Sequence, residues 1–87
     1  MITLRHLRFL VAVADELSFS RAARRCNVTQ PTLSTGLREL EDRLGVQLVE
    51  RDRRSVVMTA LGTEIATRGR TLLTGAQEVE EPGAAPL

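Results

Sequence analysis

Apolar side chains recur at helical spacing along the first 26 residues of the chain. Over residues 3–16 they cover nearly every side, which predicts a helix surrounded by protein. A second, shorter helix is expected over about 19–26, with Ser18 as its N-cap and Asn27 at its C-terminal end. Both helices are therefore expected to contribute to the core of a small domain.

A third helix, over about 30–44, has one of the cleanest amphipathic patterns in the sequence. Its apolar positions fall at steps of four, three and four: Leu33, Leu37, Leu40 and Leu44. Thr29 caps its start, Pro31 is tolerated in the first turn because the backbone donors there have no intrahelical partner, and Gly45 ends it. One face of this helix is expected to be buried and the opposite face to be open.

The spacing of apolar residues changes after Gly45. VQLVER predicts a short strand, RDRRS a charged turn and VVMT a returning strand, so we expect a small hairpin, or wing, over residues 46–59. Thr59 then opens a final helix that runs to about Glu81, before Pro82 and Gly83 break it.

This last helix is longer than a domain of this size needs. At about 1.5 Å per residue it would reach roughly 35 Å. One side carries an apolar stripe, made of Leu61, Ile65, Leu72, Ala76 and Val79. The core of so small a domain cannot cover the whole stripe, so something else must. Gly62, Gly69 and Gly75 weaken the helix but could allow close helix approach.

Together these elements predict a mainly α fold. Residues 1–58 are expected to form a winged helix-turn-helix of three helices and a short two-stranded β wing, with the helix-turn-helix itself at about 18–37. Residues 59–81 form the long linker helix, and 82–87 a disordered tail. The near absence of aromatic residues supports this class, because a core of Leu, Val, Ile and Ala suits packed helices better than packed sheets.

The first part of the chain is the more basic one. Residues 1–58 carry ten Arg against seven acidic residues, a net +3, and residues 59–87 carry two against four, a net −2. A single Cys and a single His exclude an internal disulfide and fall short of a zinc site. With no apolar stretch of membrane-spanning length and no export signal, we expect a cytoplasmic protein without membrane contact or cofactor.

The open face of the third helix is the first candidate site. Near the helix N-terminus it presents small or hydrogen-bonding side chains, of the kind that enter a DNA major groove and reach base edges. These candidates are Gln30, Pro31, Thr32, Ser34, Thr35 and Arg38. From spacing alone, an ordinary amphipathic helix with a solvated polar side explains the pattern about equally well.

Further cationic candidates flank that face. Arg51, Arg53 and Arg54 are placed at the tip of the predicted hairpin, from which they could reach the sugar-phosphate backbone or the minor groove. Ser20 and Arg21 lie near the start of the second helix, where Arg21 is the best phosphate candidate. The alternative for the wing is a charged turn that simply keeps a sheet edge soluble.

Two chemically versatile residues are assigned no chemistry. Cys26 lies beside apolar Val28 and is interpreted as a small buried residue, with no second Cys to support redox sensing. His6 has no convergent Ser, Asp or Glu set around it. Because no nucleophile, paired carboxylates or phosphate loop can be found, we expect no catalytic residues and no enzyme.

The run AARRCNVTQPTLSTGLRELEDRLGVQLVER, followed by TALG, resembles the N-terminal domain of LysR-type transcriptional regulators. The likeness covers nearly all of residues 2–80. Its matching positions are Ala22, Ala23, Val28, Thr29, Gln30, Pro31, Ser34, Leu37, Leu40, Glu41, Leu44, Gly45, Leu48, Arg51, Thr59 and Gly62. Residues 26–34 look especially like the peroxide-sensing branch, whose sensing cysteines lie in a C-terminal domain that this sequence does not contain.

The resemblance implies a homodimer formed through the 59–81 helix. The third helix of each subunit would lie in a major groove of double-stranded DNA with inverted half-sites, and the wing arginines would lie over the flanking backbone. It also implies a separate effector domain that binds a small-molecule inducer, so we expect no inducer site in this chain. The alternative function is a helical interaction module that forms mixed dimers with full-length regulators.

One departure from the family pattern concerns the third helix. Thr35 and Gly36 stand where a longer polar or basic side chain is common. Gly36 costs about 1 kcal/mol relative to Ala in a helix interior and is interpreted as a missing groove contact.

Overall fold

The computed structural model describes residues 1–52 and 55–81, and the chain order of its elements is that of a winged helix-turn-helix. The elements are α1 (Leu4–Glu16), α2 (Phe19–Cys26), α3 (Gln30–Leu44), β1 (Val49–Arg51), β2 (Val56–Met58) and α4 (Ala60–Glu80). The predicted fold class is confirmed, and the predicted helix bounds agree with these to within one residue. Strand β1 is shorter than expected and pairs antiparallel with β2, Val49 opposite Met58. The predicted tail, 82–87, lies outside the described residues.

Side-chain caps begin three of the helices where the sequence predicted them. Ser18, Thr29 and Thr59 each accept a hydrogen bond from the backbone N–H three residues further on. Each bond satisfies a donor that has no partner inside the helix. Asn27 ends α2 and Gly45 ends α3, both in the left-handed conformation.

Helix α1 is the centre of the domain, because α2, α3 and α4 all pack against it. Its residues Leu10 and Val13 are fully buried, and the facing elements contribute Leu33, Leu37, Leu40, Leu48 and Val49. Aliphatic side chains therefore form most of the core, as the composition predicted. Phe9, at 2% exposure, is the one aromatic residue buried in the described part of the chain.

Gly36 is a packing residue and not a missing groove contact. It is buried on the side of α3 that faces α1, and a Cβ atom placed there would lie 2.5 Å from Cδ2 of Phe9. The sequence interpretation of this position is therefore wrong, because any side chain here would collide with a buried ring. The close approach of α1 and α3 requires glycine.

Helix α4 begins in tight contact with the wing and continues along α1. A Cβ atom at Gly62 would overlap the carbonyl oxygen of Leu48, and one at Gly69 would lie 3.3 Å from Cδ2 of Leu7. The expected close helix approach is thus found at these two glycines, whereas Gly75 has no neighbour within 4 Å. The helix gives the chain a long dimension of 46 Å.

Only part of the apolar stripe of α4 packs against the rest of the domain. Ile65 packs against the core and Ala76 is half-buried, so Ile65 serves the domain itself more than an outside surface. Leu61, Leu72 and Val79 are 37%, 55% and 79% exposed. An uncovered apolar face therefore remains along most of the helix. Across residues 1–52 and 55–81, no helix is both long and apolar enough to cross a membrane.

Candidate nucleic-acid interface

The outer side of α3 forms a polar ridge on the surface of the domain. Leucines on one side bury the helix against α1, so the opposite side of its first turns projects outward. The structure brings the predicted candidates of this helix together there. Gln30, Pro31, Thr32, Thr35 and Arg38 are exposed and Ser34 is half-buried.

One flank of this ridge is a polar cleft of about 490 Å³. The starts of α2 and α3 meet the base of the wing there. The polar residues that line it are Ser18, Ser20, Arg21, Gln30, Asp52 and Ser55. The predicted Ser20 and Arg21 therefore lie beside the ridge.

Arg21 is held in place but stays accessible. Its Nη2 donates to the carbonyl oxygen of Glu16 at 2.7 Å, and its Nε lies 3.7 Å from Oε1 of the same residue. The side chain is still 56% exposed. A guanidinium fixed at one edge and open at the other can approach a phosphate without a large loss of side-chain entropy.

The other flank of the ridge is a groove of about 500 Å³ between α3 and the N-terminal turn of α1. Its lining residues are Thr3, Arg5, His6, Phe9, Pro31, Thr32, Thr35, Gly36 and Glu39. Residues at the start of α1 were not predicted as site residues, because spacing along one helix does not tell which neighbour it will face.

His6 bridges this groove. Its Nδ1 accepts a hydrogen bond from the backbone N–H of Thr3 at 3.1 Å, so its Nε2 is the protonated nitrogen that faces Oε2 of Glu39 at 3.0 Å. The ring thus ties the start of α1 to the middle of α3. The sequence analysis found no acidic residue around His6, because Glu39 is 33 positions away in the chain and meets it only after folding.

Glu41 holds the wing against α3, a role that the sequence analysis missed. Its Oε2 accepts hydrogen bonds from the backbone N–H groups of Leu48 at 2.8 Å and Val49 at 3.3 Å. Its Oε1 lies 3.0 Å from Nη2 of Arg51. The sequence offered one signal of this role. Glu41 lies one turn before the end of the helix, and the strand that follows has backbone N–H groups that need acceptors.

Arg51 is therefore placed differently from the prediction. It lies at the end of β1 and not at the hairpin tip, and its guanidinium carbon is also 5.8 Å from the ring centroid of Phe19. Its side chain is only 26% exposed, because Glu41 and Phe19 cover part of the guanidinium surface. Arg53 and Arg54 lie outside the described residues.

Cys26 behaves as the packing residue that was expected. It is half-buried against the core, with its Sγ 3.9 Å from the carbonyl oxygen of Arg8. Burial raises the pKa of its thiol, which lowers the fraction of reactive thiolate. The described residues hold no group of three or more His, Cys, Asp or Glu side chains arranged for a metal ion.

Ion pairing divides the arginines into two classes. Those with a carboxylate partner are Arg21, Arg25, Arg51, Arg68 and Arg70. Within residues 1–52 and 55–81, those without one are Arg5, Arg8, Arg24, Arg38 and Arg43. Arg38 on the ridge is thus free to meet an anionic or hydrogen-bonding partner.

Known proteins share this arrangement. EstR of Acinetobacter baylyi, an HTH-type transcriptional regulator, is 51% identical over 77 residues, which cover 88% of this chain and 26% of that protein. Full-length OxyR from Pseudomonas aeruginosa superposes with a TM-score of 0.91 at 43% identity, covering 95% of this chain and 28% of that one. The chain thus spans about a quarter of the length of the regulators it matches.

A solved DNA complex shows the same fold. The BenM DNA-binding domain bound to benA site 1 DNA superposes with a TM-score of 0.85 at 38% identity, covering 93% of this chain and 91% of that one. The family model described as bacterial regulatory helix-turn-helix protein, lysR family, matches residues 4–63. The chain therefore belongs to the LysR family of bacterial transcription regulators and carries the family's helix-turn-helix DNA-binding domain.

Proposed function

We propose that this chain binds double-stranded DNA in a sequence-specific manner, as a homodimer, and acts in the cytoplasm as the DNA-reading part of a regulator, not as an enzyme. The observation that carries the proposal is the exposed ridge of α3. It combines small polar side chains with an arginine that has no carboxylate partner in the described part of the chain, and a cleft or groove lies on each side of it.

An exposed helix such as α3 suits a major groove. The groove is about 12 Å wide and admits one α-helix, and α3 exposes its N-terminal turns without bulky side chains in the way. Base edges or nearby phosphates would be contacted by Gln30, Pro31, Thr32, Ser34, Thr35 and Arg38. Backbone contacts would come from Ser20 and Arg21 and from the wing arginines Arg51, Arg53 and Arg54, of which Arg51 would first have to share its guanidinium with Glu41.

Dimer formation is inferred from the uncovered face of α4. Leu61, Leu72 and Val79 point away from the domain core, and Leu4 at the start of α1 is also 47% exposed. Pairing this face with a second copy by a two-fold axis would bury it and would present two recognition helices to the DNA. The expected target therefore contains two inverted half-sites.

Selection and sequencing of random duplexes of about 30 base pairs tests the proposal directly, at near-physiological salt where non-specific phosphate binding is weak. Enrichment of two inverted half-sites is the expected result. A folded, dimeric chain that enriches no sequence would contradict sequence-specific binding by this domain.

Arg38→Ala tests the ridge itself. If Arg38 makes a forked contact with a base, its removal should weaken binding to the selected site by about 1–3 kcal/mol and relax the preference at one base pair. Arg43→Ala is the matched control, since it removes an exposed arginine without a carboxylate partner from the same helix, away from the ridge. Equal effects of the two substitutions in a binding titration would remove Arg38 from the contact set.

The rival function is a module that forms mixed dimers with full-length regulators. The exposed stripe of α4 favours it as much as it favours a homodimer. In that case Arg38→Ala would leave the activity intact, and substitutions on the stripe alone would abolish it.

A further inference from the structure

We infer that Arg5, at the start of α1, is a further contact to the DNA backbone, on the side of the recognition helix opposite the wing. The inference rests on the proposed function and adds to it a third DNA-contacting element beside α2 with the wing and α3 itself.

The Arg5 side chain is available to a partner. It is exposed, and within residues 1–52 and 55–81 it has no carboxylate partner. Its guanidinium carbon lies 5.1 Å from the ring centroid of Phe9. The stacking holds the guanidinium in a defined place without using up its hydrogen-bond donors.

The Arg5 side chain lies beside the outer face of α3. Arg5 lines the same groove as Pro31, Thr32 and Thr35 of the proposed reading surface. Phe9, on which Arg5 stacks, lies directly against Gly36, where no side chain separates the two helices. The charge of Arg5 is therefore held at a fixed position next to the ridge.

In the proposed function, α3 lies in a major groove. Such a helix has a DNA strand on each side, and phosphate contacts on both sides fix its register. The proposed backbone contacts of α2, Ser20 and Arg21, lie on one side, around the cleft that they share with Gln30. On the other side, Arg5 is the arginine that lines the groove.

The residues around Arg5 are compatible with a phosphate. Among the described residues that line this groove, Glu39 is the one with a carboxylate, and its Oε2 lies 3.0 Å from Nε2 of His6. The hydroxyl of Thr32, which accepts a hydrogen bond from the Thr29 hydroxyl at 2.9 Å, lies on the same rim. A guanidinium without a carboxylate partner, beside hydroxyl groups, is suited to bind a DNA phosphate.

The test is the salt dependence of binding to the selected duplex. Each phosphate contact contributes about 0.9 to the slope of log affinity against log salt concentration. Arg5→Ala should lower the slope by about 0.9 per subunit, and the affinity about threefold to tenfold at moderate salt. The loss should be the same on selected and unrelated duplexes, because phosphate contacts carry no sequence information.

Matched variants separate this role from a general loss of charge or folding. Arg8→Ala removes another unpaired arginine from α1 that does not line the groove, and it should change the slope much less. Arg5→Lys keeps the charge and should keep the slope. Circular dichroism and thermal unfolding verify that each variant is folded.

The outcomes of this experiment are distinct. A slope that falls only in Arg5→Ala supports the contact. Equal slopes in wild type, Arg5→Ala and Arg8→Ala, with clear binding by the wild type, overturn this inference and leave the proposed function standing. No binding by the folded wild-type chain overturns both.

Discussion

At the residue scale, Gly36 and Phe9 determine how closely the recognition helix approaches the rest of the domain. The Phe9 ring fills the space that a side chain at position 36 would occupy. The Arg5 guanidinium lies over the same ring, with its carbon 5.1 Å from the ring centroid. A single glycine therefore sets the packing of α1 on α3 and, through Phe9, the position of a charge beside the reading surface.

Replacing this glycine with alanine should destabilise the domain. Overpacking a close contact costs about 1–3 kcal/mol, and the better helix propensity of alanine returns about 1 kcal/mol, so Gly36→Ala should lower the free energy of unfolding by up to about 2 kcal/mol. Gly75→Ala is the control, since nothing lies within 4 Å of a Cβ there, and it should raise stability. Urea unfolding at one protein concentration measures both. A stabilising effect of Gly36→Ala would contradict the prediction, because it would mean that the Phe9 ring can move aside at no cost.

At the element scale, one carboxylate joins three helices. Asp15 of α1 receives both Nη atoms of Arg70 of α4, at 2.6 Å and 3.1 Å, and Nη1 of Arg25 of α2 at 2.8 Å. The hydrogen bonds from Arg70, ahead of those from Arg25, lower the pKa of Asp15 to about 2. This cluster ties α4 to α1 and α2 and so helps to fix the direction in which α4 leaves the domain.

The Asp15 cluster should be visible in the acid stability of the protein. Its pKa is lowered in the folded state, so its contribution is complete above the ordinary value of 3.8 and is lost as the pH falls towards 2. Denaturant unfolding from pH 5 to pH 2 should therefore show a shallower loss of stability for Asp15→Asn than for wild type. Asp42→Asn, at a position without an ion pair in the described part of the chain, is the control. Identical profiles for Asp15→Asn and wild type would mean that the cluster does not persist in solution.

At the scale of the whole molecule, the long helix α4 joins the helix-turn-helix to the exposed apolar stripe through which we propose that the chain dimerises. Its first turn is locked to the wing through the Thr59 hydroxyl, which donates to the carbonyl oxygen of Gln47 at 2.9 Å, and through the close contact of Gly62 with Leu48. Its exposed stripe then extends beyond the domain. Wing, recognition helix and stripe are thus parts of one rigid arrangement that a two-fold axis can duplicate.

Leu72→Asp should break that dimer, because it places a charge in the centre of the exposed stripe. Leu17→Asp is the matched control: Leu17 is 53% exposed against 55% for Leu72, and its left-handed conformation suits aspartate. Sedimentation equilibrium should give a monomer for the first variant and a dimer for wild type and the second. A Leu72→Asp protein that still sediments as a dimer would place the interface on another face.

Local rules were sufficient for much of this protein. Caps such as Ser18 and Thr29, the leucine spacing of α3 and the change of period after Gly45 act over a few residues, so helix bounds, the wing and the outward face of α3 could be predicted before any packing was known. The open stripe of α4 could be predicted in the same way, although the spacing did not show that Ile65 also packs against the core.

The contacts between distant residues could not be predicted in this way. That His6 meets Glu39, that Glu41 holds Arg51 and the wing, that Asp15 joins Arg25 to Arg70, and that Gly36 receives Phe9 all depend on which faces oppose one another after the helices pack. Periodicity shows that a face is buried or open but not what lies across from it. The partners of Arg5 and Arg51, and hence their proposed roles, emerged only from the packing of α1 and the wing on α3, because charges far apart in the chain meet only when the core brings their helices together.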